Sequence, residues 1–445
     1  MQARWVKAEP QAVEAFENAY SLEMVGRNCV LSEYKKIPVP EFRIHGEFIT
    51  YSSPDSTYAV TKQLIEAGQK SIIIGMYDFT AGYMKELLLK AMQRGVKVSL
   101  MLDLDGRSGE TEIYEELVRY GCEGVPAPSC ASEHANYFAS SHEKVIVIDD
   151  TWTLVQSGNY SDNSIPQNED GGDRDNFVPG NRDMGVAINW KPLAALFEKV
   201  LRGDMKLERD ASLGEAAPSG MAELEEIELI EAAPLEPPVK LFPSRRFKPN
   251  KPVKVTPILS PDNYMSVIPD FLASATKSIY IEQQYIRGQQ EAIGRLLEKI
   301  RKAMGRTPDL DVRIILAKPF PGSRFDKEAK AIKDLKQQFG LKLGENIRIL
   351  NPKHFVHCHN KLIIVDEQAV LVSSQNWSDS AVLKNREAGL LLEYPEMARQ
   401  YAAIFKTDWD TGLKTLRKGR AEHLGPEAFG LGGTVKLNWG DYAEV

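Results

Sequence analysis

The chain has 445 residues, 43% of them hydrophobic and 26% charged, with 32 Gly and 25 Pro, a composition that excludes disordered and collagen-like classes. The formal charge of −7 is concentrated: residues 211–240 hold seven acids against Lys240 alone, so the rest of the chain is nearly neutral and charge neither demands nor forbids a polyanionic partner. No stretch of about 18 apolar residues occurs, and Met1 to Ala15 carries Arg4, Lys7, Glu9 and Glu14 without an apolar run behind it, so neither a spanning helix nor a signal peptide is expected and the reading is a cytoplasmic protein. Cys29, Cys122, Cys130 and Cys358 are too few for a disulfide scaffold and lack paired metal-ligand spacing; thiols are the expectation.

In chain order, residues 1–44 read as an N-terminal extension. A first unit over 45–205 opens with "YSSPDSTYAVTKQLIEAGQKSIIIGMYDF" from Tyr51, a turn, a helix-period segment and a β-branched strand. Residues 206–250 form an acidic, Pro-rich linker. A second unit over 251–412 opens with "LSPDNYMSVIPDFLASATKSIYIEQQY" from Leu259, and Pro54/Pro261, Lys70/Lys277 and Ser71/Ser278 share one 207-residue offset. Residues 413–445 close the chain. In each unit helix patterns alternate with apolar strands, which predicts α/β lobes with a largely parallel, sandwiched sheet. A repeat this long means a duplicated domain, and two copies facing across a pseudo-twofold axis in a monomer can build one cleft.

Both units carry one constellation. "HEKVIVID" places His142, Lys144 and Asp149 as H-x-K-x4-D, with Ser157 and Asn159 downstream; "HNKLIIVD" places His359, Lys361 and Asp366, with Ser374 and Asn376 at the same distances. "NRDMG" and "NREAG" then place Asp183 and Glu387 at the start of another apolar run. In an extended segment residues two apart share a face, so each unit sets an imidazole beside an ammonium and a hydroxyl beside an amide. Doubled, the set suits a phosphodiester. Lysines and asparagines surround the equatorial oxygens of the transition state, one histidine attacks phosphorus and the other protonates the leaving oxygen, and a carboxylate on each imidazole's far N–H fixes its tautomer. No metal or other cofactor is required by this set. Asp149 and Asp366, at the far strand ends, read as structural.

These paired motifs resemble the phospholipase D superfamily, whose signature is H-x-K-x4-D followed by G-S-x-N. The resemblance covers roughly residues 45–200 and 250–412. It implies two duplicated α-β-α sandwich lobes sharing one active-site cleft and a covalent phosphohistidine formed without metal. It further implies His142 as nucleophile, His359 as general acid, Lys144, Lys361, Asn159 and Asn376 on the phosphoryl oxygens, and Ser157 and Ser374 in the hydroxyl slots. Asp183 and Glu387 match its histidine-orienting acid, each serving its own lobe or the opposite one. The signature glycine is Gln156 in one copy and Ser373 in the other, which is expected to narrow the site. The first copy also holds an extra acidic, Gly-rich stretch, Asp162 to Gly180, expected as a mobile loop at the cleft.

For the substrate, "NWSDSAVLKNREAGL" is similar to the superfamily's nucleases and lacks the N-[LF]-D-x-R-S run of its cardiolipin synthases. Tyr160 and Trp377 adjoin the catalytic asparagines, either to stack a base or to fill the core. Basic residues cluster at Arg324, Lys327, Lys330, Lys333 and Lys336, and at Arg245, Arg246, Lys248, Lys251 and Lys254, where they would guide a phosphate backbone. The expectation is a metal-independent phosphodiesterase leaning to nuclease, with a phospholipase D or transphosphatidylase on phospholipid headgroups, and an inactive scaffold, as alternatives.

Overall fold

The computed structural model describes residues 29–105, 109–214, 236–319 and 323–416; the acidic run from Glu215 to Glu231 lies outside them. The first half contains β1 (Phe42–Ile44), β2 (Glu47–Ser53), α1 (Thr57–Ala67), β3 (Ser71–Met76), α2 (Gly82–Gln93), β4 (Lys97–Leu102), α3 (Glu110–Arg119) and β5 (Glu123–Pro126). Then come β6 (Val145–Ile148), β7 (Trp152–Gln156), β8 (Asp183–Asn189) and the long α4 (Lys191–Ser212). The second half runs β9 (Arg245–Phe247), β10 (Val253–Ser260), α5 (Tyr264–Ala273), β11 (Ser278–Gln283), α6 (Glu291–Arg306), β12 (Asp311–Leu316), α7 (Ser323–Phe339) and β13 (Ile347–Ile349). It closes with β14 (Leu362–Val365), β15 (Ala369–Ser373), α8 (Asp379–Leu383), β16 (Glu387–Glu393) and α9 (Pro395–Thr411).

The result is a mixed α/β molecule with two eight-stranded sheets of matching order, β5-β4-β3-β6-β7-β8-β2-β9 and β13-β12-β11-β14-β15-β16-β10-β1. The expected largely parallel sheet is corrected. Parallel pairing is confined to β3–β4–β5 and β11–β12–β13, where helices make the crossovers; the later strands meet antiparallel. Tight turns set the β6–β7 and β14–β15 pairs. Asp149–Asp150 and Asp366–Glu367 all have positive φ, the conformation of a hairpin turn whose twist matches its strands. Each turn is pinned by its aspartate: Asp149 accepts the backbone N–H groups of Gln69, Lys70 and Ser71, and Asp366 those of Thr276, Lys277 and Ser278. These bonds hold both carboxyls below their usual range against the opposing effect of burial.

The edge strands are exchanged. β1 precedes the first unit but pairs with β10 of the second sheet, and β9 precedes the second unit but pairs with β2 of the first. The segments leading into them also correspond: Ile37 donates its N–H to Asp262, and Phe242 donates its own to Asp55. Residues 29–44 and the end of the linker thus each add an edge strand to the opposite sheet. The first arm is fastened by a Cys29–Cys130 disulfide with Cα atoms 5.9 Å apart, which corrects the expectation of four thiols. The partners are 101 residues apart in sequence and meet because the arm runs back along the Cys130 loop, with Ser32 N–H on Asn136 O and Tyr34 against Phe138. Cys122 and Cys358 are buried thiols, raised by burial.

Each sheet's outer face packs under its own helices. In α6 the buried Ala292, Ile293, Leu296, Leu297, Ile300 and Ala303 form one apolar stripe at helical spacing. The inner faces share one core that joins Val145, Val147 and Val155 of the first lobe to Leu362, Ile364 and Val372 of the second, with Phe197 of α4 and Phe405 of α9. Apolar area removed from water, at about 25 cal/mol per Å², thus ties the lobes together continuously. Among the described residues no helix is long and apolar enough to cross a membrane.

Candidate active site

His142 and His359 lie in extended segments just ahead of β6 and β14. Each segment is hydrogen-bonded to the opposite lobe: His142 N–H donates to Arg386 O, and His359 N–H to Arg182 O. The side chains cross in the same way. His142 Nδ1 is 2.7 Å from Glu387 Oε2, and His359 Nδ1 is 2.7 Å from Asp183 Oδ1. The choice left open between own and opposite lobe is thereby resolved in favour of the opposite lobe. Ser374 Oγ donates to Glu387 and Ser157 Oγ to Asp183, at 2.5 and 2.6 Å, which locks each acceptor. With Nδ1 engaged by the carboxylate, Nε2 is the nitrogen on the far side of each ring.

The lysines return to their own motifs: Lys144 Nζ donates to His142 O at 2.9 Å, Lys361 Nζ to His359 O at 2.7 Å. Lys361 Nζ also lies 3.0 Å from His359 Nε2. Asn159 and Asn376 sit two residues beyond the serines. All these side chains are between 0 and 3% exposed, so the charges act in a low dielectric. Burial alone would raise Asp183, but His359, Lys361 and the Ser157 hydroxyl outweigh it and hold the carboxyl below its usual value. The carboxyl is therefore held in its ionised form beside His359.

The structure does not bring every candidate to the site. Tyr160 packs edge-on against Phe79 and Trp377 donates its indole N–H to Tyr264; both rings are fully buried and neither offers a face to a base, because the residues after β7 and β15 turn back beneath α2 and α6. Gln156 and Ser373 do not narrow the site. Gln156 shares the outward face of Leu154, bonding Tyr51 and Gly158, while Ser373 bonds Lys361 O. The glycines stand opposite them instead, at Gly185 and Gly389, where an added Cβ would lie 2.2 Å from Tyr51 and 2.7 Å from Ser373. The 162–180 stretch is tied down rather than free: Asn168 bonds Pro54 O and Val178 O, and Arg174 bonds Pro238 O. Several basic residues are engaged in ion pairs, Arg246 with Glu47, Lys254 with Glu41 and Glu393, and Lys330 with Asp334.

Sequence reasoning missed the brace around the histidines. Arg182, the residue before Asp183, is fully buried between Asp55 and Asp408; Arg386, before Glu387, is buried between Asp262 and Asp204. In each, one aspartate follows the cis proline of the same lobe and the other comes from the opposite lobe's last helix. The signal was present: the arginines sit inside the repeated N-R-[DE], and Asp204 and Asp408 follow Asp183 and Glu387 at equal distances.

The family model "Cardiolipin synthase, PLD-like domain" matches residues 61–204 and 268–409, more than half of the chain. A mouse protein named mitochondrial cardiolipin hydrolase is 30% identical over 73 residues, 16% of this chain and 33% of that one, and the human protein of that name is 30% identical over 73 residues, 29% of its length. The chain thus spans about a third of the curated relatives it matches. Among solved structures, phosphatidylserine synthase of Haemophilus influenzae superposes with a TM-score of 0.57 at 16% identity, over 86% of this chain and 91% of that one; that likeness is one of fold.

Proposed function

Because the chain belongs to the family of cardiolipin synthase, phospholipase D-like domains, we propose that it is a metal-independent phosphodiesterase acting on phospholipid headgroups through a phosphohistidine. The observation that carries this reading is the crossed pair of His–carboxylate bonds, His142–Glu387 and His359–Asp183, flanked by two lysines. His142 Nε2 attacks phosphorus, forming the P–N bond as the P–O bond to the leaving group breaks. His359, cationic beside ionised Asp183, gives its Nε2 proton to that oxygen. Neutral His359 then takes a proton from water or an alcohol, whose oxygen displaces His142 from phosphorus and restores both rings. Lys144, Lys361, Asn159 and Asn376 balance the oxygen charge that peaks in each transition state.

The lipid preference rests on the family and on the relatives' name. The nuclease expectation rested on the run from Asn376 to Leu390; Tyr160 and Trp377, which would have stacked a base, are buried. The exposed Lys327, Lys333 and Lys336 of α7 keep nucleic acid as the second reading. The test is turnover in excess EDTA of cardiolipin and mixed phospholipid vesicles beside labelled DNA and RNA, with wild type and His142→Ala. Headgroup release in EDTA, lost by about 10³-fold or more in the variant, is expected. Cleavage of nucleic acid alone replaces the lipid reading, and activity that chelator abolishes and a divalent ion restores overturns the metal-free mechanism.

A further inference from the structure

The half-sites share His, Lys, Ser and Asn but not the residue beside them. Tyr77 follows β3 and its counterpart Gln284 follows β11, at the offset that relates Pro54 to Pro261. Tyr77 is 3% exposed. Its ring centroid lies 4.5 Å from that of His142 at an interplanar angle of 62°, and Lys144 Nζ stands 5.0 Å over its face. One aromatic ring therefore touches both the imidazole and the ammonium of the first motif. In the second lobe Gln284 instead meets His357, with Nε2 atoms 3.1 Å apart.

The nature of the partner matters. An aromatic face attracts the cation through its quadrupole and does not neutralise it, so the ring adds an orienting contact to the ammonium. The same ring, packed against the imidazole, adds to the Nδ1–Glu387 bond in restricting rotation of His142 about its side-chain bonds. A small error in the attacking atom's position costs rate rather than binding.

We propose that Tyr77 is a positioning residue, holding His142 and Lys144 in their reacting orientation through its π face, and that its replacement by Gln284 in the other lobe makes the two half-sites unequal. This rests on the phosphodiesterase reading above. The test uses the full chain in EDTA with bis(p-nitrophenyl) phosphate, comparing wild type, Tyr77→Phe and Tyr77→Leu, with thermal melts to establish folding. Tyr77→Phe keeps the ring and is expected within about threefold of wild type in kcat. Tyr77→Leu keeps apolar volume without a π face and is expected to lose about tenfold in kcat, the scale of a desolvated cation–π contact, with KM nearly unchanged. If the leucine variant does not fold, Tyr77→Met supplies the same comparison. A leucine or methionine variant as active as wild type overturns the proposal, and so does a phenylalanine variant that falls as far as leucine, since the hydroxyl would then be at work. Wild type inert toward this diester and toward every substrate above would overturn the parent reading and this one with it; an active wild type with an unaffected leucine variant overturns this one alone.

Discussion

The two lobes agree wherever a side chain reaches into the centre and differ in how each is closed around it. Both present His, Lys, Ser, Asn and an acid, both surrender the acid to the other lobe's histidine, and both brace it with a buried arginine between two aspartates. Around this shared frame the lobes diverge. The first has Tyr77 where the second has Gln284, and a disulfide fastens the first arm while the second arm, residues 236–247, has no cysteine. The buried carboxylate beside the motif also changes strand: Glu143 faces Gly75 in the first lobe, whereas in the second Glu282 takes the glycine's place and bonds Asn360. Pseudo-symmetry is kept among the side chains that bond across the lobes and relaxed in the residues that surround them.

The comparison breaks most severely at the arginines. Arg182→Met or Arg386→Met removes the cation from a site that holds two buried carboxylates, and each is expected to cost about 3–5 kcal/mol in denaturant unfolding; equal losses at both positions would show that the brace is symmetric. The clasp comes next. Cys29→Ser, or reduction, is expected to destabilise by about 2–4 kcal/mol because the bond closes a long loop. Since such a bond persists in oxidising surroundings, we propose an oxidising compartment in place of the cytoplasm. Thiol titration of the unfolded chain should find two reactive groups; four would refute both statements.

The smallest expected effect lies at Glu143, whose carboxyl is pushed up to about 8 by burial first and then by Asp204. The unfolded chain ionises this group near its ordinary value of about 4.3, while the fold keeps the proton until about 8. The native state therefore binds more protons between those values, and the contribution of this group to stability falls as pH rises through that window. Glu143→Gln should flatten the decline of Tm between about pH 5 and 8.5. An unchanged slope would place the titration elsewhere.

The duplicated lobes and the paired candidate residues were legible because spacing survives duplication: H-x-K-x4-D, the downstream Ser and Asn, and N-R-[DE] recur at fixed offsets. What stayed hidden depends on three-dimensional return of the chain. Which acid serves which histidine, the exchange of β1 and β9, and the Cys29–Cys130 bond are contacts between distant segments, on which local pattern carries no information. The parallel-sheet error arose because periodicity marks strands without their direction; the paired positive-φ residues after β6 and β14 account for one reversal in each lobe. Tyr160 and Trp377 were ambiguous by nature, since an aromatic beside a catalytic residue serves core and ligand equally well.

The central claim is that each histidine works with the acid of the opposite lobe, and adduct formation measures it. In His359→Ala an activated diester needs no general acid, so one p-nitrophenolate should be released per chain as His142 gains the phosphoryl group, read by peptide mass. Adding Glu387→Gln should slow that burst by about 10²-fold or more, while adding Asp183→Asn, whose histidine is already gone, should leave it unchanged. A burst slowed by Asp183→Asn and untouched by Glu387→Gln, or an adduct absent from His142, would contradict the crossed assignment.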